Sequence, residues 1–356
     1  MNSTQATLEE SKFESNAARR SQIGESSTRN STLVSWCSGY EGESSVSIAD
    51  YQTGESYAKF PGVKLFKPAE FSTWTHVKEI PETNHLITAY YSRYNSASFK
   101  IIDFSTKTIK TVFSFEELEG IVGDSEIAVN AKRKLMALIP LVGKTAYHLL
   151  DTDSFTLLRK ASWFPQFSEN RVSTLDISPD GRKIAMAAHA GTTCVISDIS
   201  TSNCDVEYNL VNQNYTNIRC RWGEHPEDPS LFLTYSGKLL NILDIEKKNL
   251  LLKDSLVLGD LIGITWIDKC PQDSNLLALG GNTVTIFDRR ESKFAKSFLP
   301  LLCWGGINCV RWSPDGHFIA ATSDHSYGKV LDLRTEKMIF DQKTSDKGWA
   351  YSVCFL

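Results

Sequence analysis

Residues 306–340 read GINCVRWSPDGHFIAATSDHSYGKVLDLRTEKMIF, and the order of their parts decides the fold. Ile307–Trp312 is a short apolar-rich run, and Ser313, Pro314, Asp315 and Gly316 then supply turn chemistry. Proline fixes φ there and glycine accepts a positive φ. Residues 318–322 are small and apolar, 323–328 turn again, 329–333 alternate around an aspartate, 334–337 turn once more, and 337–340 run outward. Four strands in a row are expected. Such a meander has two open edges and two apolar faces, so it needs neighbours.

The neighbours lie upstream, with the same parts in the same order. An aspartate closes the third strand at Ala49-Asp50, Ile102-Asp103, Leu150-Asp151, Ser197-Asp198, Leu243-Asp244, Phe287-Asp288 and Leu331-Asp332, and the successive gaps are 53, 48, 47, 46, 44 and 44 residues. The Ser-Pro-Asp-Gly turn occurs twice, at Ser178 to Gly181 and at Ser313 to Gly316. A four-stranded unit repeated at roughly 40–45 residues is the signature of propeller blades. The fold expected is therefore all-β, a seven-bladed β-propeller of four-stranded antiparallel blades over residues 31–356. Before residue 32 the chain is polar, so the first blade lacks an inner strand, whereas residues 350–356, AYSVCFL, align with inner strands such as Ile307–Trp312. Pairing the two ends completes one blade, closes the ring by the C-terminal strand and hides two sheet edges. The competing reading is a chain that stops inside an eighth blade. Residues 1–30, rich in Ser, Thr, Asn, Gln and Glu, are expected to form a disordered tail.

Composition narrows the function. A net charge of −4 gives no nucleic-acid footprint, and no run of about 18 apolar residues predicts a membrane span. The eight cysteines contain no CxxC pair and most sit beside Val, Ile or Leu. They read as reduced, buried thiols of an intracellular protein, cytoplasmic or nuclear. The glycosylation sequons at Asn2, Asn30 and Asn214 then read as chance matches. No GxGxxG, GxxxxGK[ST], HExxH or GxSxG occurs, and the seven histidines never take metal-ligand spacing. Asp324-His325 reads as a solvated turn, and the strand-ending aspartates as acceptors that hold turns. No catalytic residue, cofactor or metal ligand is expected. An enzyme with a site in the central channel is kept as an alternative; it would need polar residues where the inner strands start, and mainly apolar ones stand there.

The chain resembles the WD-repeat family of β-propellers over residues 31–356. The aspartate of that family's third strand stands at all seven positions; its tryptophan stands at none, and Gly316-His317 falls in the first hairpin rather than before an inner strand. The resemblance implies a rigid ring and a non-enzymatic scaffold or adaptor binding other proteins or peptides. Trp74, Trp163, Phe164, Phe167, Trp304 and Trp349 fall in connections from outer to inner strands and would form one aromatic rim for a partner. Trp222, Trp266 and Trp312 are expected to end inner strands and pack between blades. Two Asp-x-Arg motifs, Asp288 with Arg290 and Asp332 with Arg334, resemble the box by which WD-repeat substrate receptors dock on the adaptor of cullin-4 RING ubiquitin ligases. A plain turn is the competing reading of those motifs.

Overall fold

A computed structural model of the chain describes residues 33–40, 43–61, 72–81, 83–92, 96–116, 127–139, 145–162, 172–188, 193–201, 204–209, 219–222, 230–234, 240–245, 249–250, 264–291, 293–298, 306–324, 327–343 and 349–356. The tail expected at residues 1–30 lies outside them. Thr32–Leu356 is one compact unit.

The stretch that decides the fold forms the strands Ile307–Trp312, Phe318–Ser323, Tyr327–Asp332 and Lys337–Lys343, paired antiparallel in that order. The described strands make seven such four-stranded sheets. All seven aspartates identified by period are the last residue of a third strand. One sheet is assembled from both ends of the chain: Trp349–Phe355 pairs with Leu33–Tyr40, with Val34 opposite Phe355. Inner strands adjoin in turn, from Trp349–Phe355 to Ser72–Ile80, Ile127–Asn130, Val172–Ile177, Arg219–Trp222, Trp266–Lys269 and Ile307–Trp312, and the last lies against Trp349–Phe355 again.

Sheets stacked face to face bury both sides of their middle strands. Leu240–Asp244 and Val284–Asp288 are buried at every residue, including the polar Asn241 and Thr285 and the two closing aspartates. Ile48, Leu86 and Ile102 are fully buried between sheets, each worth about 1.5–3 kcal/mol of transfer free energy. Five cysteines, at 194, 220, 270, 309 and 354, are buried free thiols, and burial raises the pKa of Cys270, Cys309 and Cys354. The side chains of the other three lie outside the described residues. Among the described residues no helix is long and apolar enough to cross a membrane.

The strand-ending aspartates build the turn that follows. Oδ1 of Asp50 accepts from the backbone N–H groups of Gln52 and Thr53, and Asp103 accepts likewise from Ser105 and Thr106. Asp151 and Asp198 repeat the pair, and Asp288 and Asp332 accept from the N–H groups of Arg290 and Arg334. At Asp103 burial pushes the carboxyl pKa up, but the bonds from Ser105 and Thr106 outweigh it and hold it at about 2. Four residues beyond the aspartate the backbone turns left-handed. Gly54 does this at φ 73°, while Lys107, Phe155 and Glu336 do it with a side chain at 57°, 54° and 58°.

The Ser-Pro-Asp-Gly turns are tied differently. Ser313 Oγ donates to Asp315 and accepts from the Phe318 N–H, and Gly316, at φ 72°, has the Gln272 side chain and Cys270 Sγ within 3.0–3.2 Å of where a Cβ would stand. Glu336→Gly is therefore expected to raise stability by about 0.5 kcal/mol, whereas Gly316→Ala lowers it by about 1–2 kcal/mol. Urea unfolding of the two variants checks both signs. His148 supplies a third expectation. Burial, helped by nearby Lys160, lowers its pKa to about 4, so the folded protein keeps it neutral while the unfolded chain protonates near 6.5. The melting temperature should fall as pH drops from 6.5 towards 4, and His148→Gln should flatten that slope; an unchanged slope would show that other groups cause it.

Candidate functional site: the charged end of the central channel

Counting from each strand-ending aspartate through its paired second strand finds one equivalent position in every inner strand. Asp332 faces Phe318, and two residues on Ala320 faces Arg311. The same count gives Lys78, Ala128, Asp176, Arg221, Asp268 and Cys354 in the other six sheets. Five of the seven carry charge. Lys78, Asp176, Arg221, Asp268 and Arg311 line a central cavity of about 260 Å³, joined by Lys132 from the first turn of the third sheet and by Lys269.

These charges stitch neighbouring sheets together. Asp268 Oδ2 accepts the Trp312 backbone N–H at 2.8 Å and Oδ1 binds the Arg311 guanidinium at 3.1 Å. Asp176 repeats the first bond, accepting the Trp222 N–H at 2.9 Å, while Trp222 Nε1 donates back to the Asp176 carbonyl at 3.0 Å. Between the two aspartates the Trp266 ring has Arg221 on it at 4.9 Å and Arg311 at 5.1 Å, each a cation held on an aromatic face. Other stitches are polar and uncharged: Asn130 Nδ2 donates to the Ser178 carbonyl, Gln272 Nε2 to that of Pro314, and Asn308 Nδ2 to that of Ala350.

Sequence reasoning missed this ring. It looked for polar residues where inner strands start, and the charges stand where they end. Both aspartates accept neighbouring N–H groups, and the thiol of Cys354 is raised well above its ordinary pKa by burial, so it stays protonated at neutral pH. Among the described residues no group of three His, Cys, Asp or Glu stands close enough to hold a metal.

The residues singled out in the sequence are placed as follows. Trp222 and Trp312 are the buried last residues of inner strands and are hydrogen-bonded across sheets, as expected. Trp266 is also buried but opens its strand, which corrects the expected position at a strand end. Of the rim residues, Trp163, Phe164, Phe167 and Trp304 lie outside the described residues. Trp74 is the third residue of Ser72–Ile80 and Trp349 the first of Trp349–Phe355, so both stand in inner strands rather than in connections. By register Trp74 occupies the place of buried Ile307 and Val172 in other sheets, next to a bulge that recurs there.

Arg290 and Arg334 lie two residues past their aspartates, in equivalent turns of neighbouring sheets. Each guanidinium returns to its own carboxylate, Arg290 Nη2 at 2.7 Å from Asp288 and Arg334 Nε at 3.2 Å from Asp332. Arg290 also reaches Asp273 at 3.2 Å, and Arg334 lies over the Phe318 ring at 5.1 Å. The hydrogen bond and charge of Arg334 lower the pKa of Asp332. Even so, the two arginine side chains remain 55% and 57% exposed.

Residues 301–327 match the family described as WD domain, G-beta repeat. No curated protein matches the chain.

Removing the Asp268 carboxylate would leave a buried N–H and a mostly buried guanidinium facing each other's loss. Asp268→Ala is expected to cost about 3 kcal/mol, and Asp176→Ala, which pairs with no arginine among the described residues, about 1–2 kcal/mol. Denaturant unfolding gives the ranking. Hydrogen exchange at the Trp312 and Trp222 amides, respectively, shows whether each loss is local to the predicted stitch.

Proposed function

We propose that this chain, with one repeat matched to the WD family and the same four-stranded build in every described sheet, is a WD-repeat β-propeller that serves as a protein-interaction scaffold or adaptor. The proposed body is a seven-bladed ring whose ends are fastened by pairing Trp349–Phe355 with Leu33–Tyr40. The observation that carries the reading is where the ionised aspartates are used. At six third-strand ends they accept the backbone N–H groups of the next turn, so the turns are held in place without a partner. A ligand meeting pre-formed turns loses little ordering entropy on docking. Partners would be other proteins or peptides, and the buried free thiols support an intracellular setting, cytoplasmic or nuclear.

Two faces are available for docking. Trp163, Phe164, Phe167 and Trp304 would lie on the face at which outer strands lead to inner ones, with Trp74 and Trp349 near the strand starts. Large aromatics there suit an interface core. The opposite face carries Arg290 and Arg334. A second reading, a substrate receptor docked on a cullin-4 ligase adaptor, is favoured by one observation: two guanidinium groups in equivalent turns are pinned by their own carboxylates yet more than half exposed. Arginine held in this way presents a planar donor fork at little entropic cost.

Affinity purification of the intact chain with quantitative mass spectrometry tests both. Trp163→Ala with Trp304→Ala should lose one set of proteins, and Arg290→Ala with Arg334→Ala should lose a cullin–adaptor set if the second reading holds. Should the arginine variant recover every partner of the intact chain, the receptor reading fails. Should neither variant nor the intact chain enrich any protein over a folded control, the scaffold reading fails with it.

A further inference from the structure

Six of the seven described sheets are built from strands that follow one another along the chain, each inner strand joined by a hairpin to the strand it pairs with. The inner strand Trp349–Phe355 is different, because its partner Leu33–Tyr40 comes from the other end of the described residues. No hairpin keeps it near that partner, so pairing and the flanking sheets must hold it. Towards the second sheet, Ser352 Oγ donates to the Val77 carbonyl at 3.2 Å and Cys354 Sγ accepts the Glu79 N–H. Towards the seventh, Asn308 Nδ2 donates to the Ala350 carbonyl at 3.0 Å, and Cys309 Sγ stands 3.9 Å from the Val353 carbonyl and 4.0 Å from Ser352 Oγ. Sulfur thus meets the strand at both seams.

We propose that Trp349–Phe355 is a latch: in the folded protein it leaves its place as a unit, uncovering the edge of Leu33–Tyr40 and the thiols of Cys309 and Cys354, while the other six sheets stay closed. By register Cys354 holds the place of Asp176 and Asp268, and Glu79 that of Trp222 and Trp312. A carboxylate accepts the neighbouring N–H with its charge, which makes a bond roughly twice as strong as a neutral one, whereas sulfur is a weak acceptor. Apolar burial of Ala350, Val353 and Phe355 resists departure, so the closed form prevails. The two thiols report on the seams. Burial raises the pKa of both and keeps them protonated while the strand is seated; once uncovered they return towards about 8.5 and react. Cys194, Cys220 and Cys270 belong to the fourth, fifth and sixth sheets, where hairpins join every strand to the next. The latch requires no partner and is independent of the scaffold reading.

Pulse labelling of the full chain with iodoacetamide under native conditions, read site by site by peptide mass spectrometry, tests the inference. Cys309 and Cys354 should react at one common rate, about tenfold or more above that of Cys194, Cys220 and Cys270. Hydrogen exchange should agree, with the Glu79 amide opening in step with the two thiols and the Trp222 and Trp312 amides about tenfold slower. Cys354→Asp would set a carboxylate between the Glu79 N–H and Lys78, as Asp268 stands between the Trp312 N–H and Arg311, and should slow the labelling of Cys309 several-fold. Should that variant fail to fold, the two measurements on the unaltered chain decide. Reaction of all five thiols at one rate would reveal global unfolding alone and overturn the proposal, as would a folded Cys354→Asp variant whose Cys309 reacts no more slowly.

Discussion

A four-stranded sheet with apolar side chains on both faces has no stable form in water by itself, and everything else in this protein answers that constraint. Stacking buries strands such as Leu240–Asp244 and Val284–Asp288 completely, but each sheet added exposes a new apolar face. A ring of sheets removes the problem, because the last face meets the first. The buried cluster that joins Val34, Ala49 and Phe355 to Val310, Phe318 and Trp312 is the place where this happens, with Tyr51 against both Phe318 and Phe355. Burial at this seam raises the Tyr51 pKa to about 12, with Asp315 and Asp50 adding to it, so its hydroxyl stays neutral at physiological pH.

Aspartate does two separate jobs in the ring. At the end of a third strand its carboxylate accepts the N–H groups of its own turn, a local bond that fixes the hairpin whatever lies beside it. At the end of an inner strand, in Asp176 and Asp268, it accepts an N–H from the next sheet and fixes the spacing between sheets. The first job needs only residues a few positions apart. The second needs a partner 44 or 46 residues further on, which the repeat supplies in register.

This difference explains what was legible beforehand. The aspartates ending third strands recur with short local turn signals, so Asp50 to Asp332 could be read as a period, and with them the strand order. Trp222 and Trp312 could be assigned between blades because each closes a short strand with an apolar residue, Cys220 or Val310, two positions before it. The ring of Lys78, Asp176, Arg221, Asp268 and Arg311 was hidden: its members differ in charge, and hairpins of unequal length, chiefly those joining second and third strands, put them at unequal distances from the aspartates that mark the repeat. Only pairing register brings them to one level. Trp266 was misplaced for a related reason: Ile262, Ile264 and Ile267 continue the apolar character on both sides of it, so the start of the strand resembles its end.

The two layers of charge also have different consequences for function. Turn aspartates are matched locally, and in the sixth and seventh sheets the matching arginine leaves its guanidinium largely in solvent, so that face presents neutralised pairs of modest energetic weight. Inner-strand charges converge on one axis, where each stitch between sheets brings another ion within reach of the rest. Two stitches use carboxylates, while the corresponding places in the second, fifth and seventh sheets hold cations. Asp176, Arg221, Asp268 and Arg311 alternate in sign around one side of the channel. Stitching a ring with charged residues thus sets ions of both signs beside one axis, and the charges that fix the spacing of the blades are the same ones that line the channel.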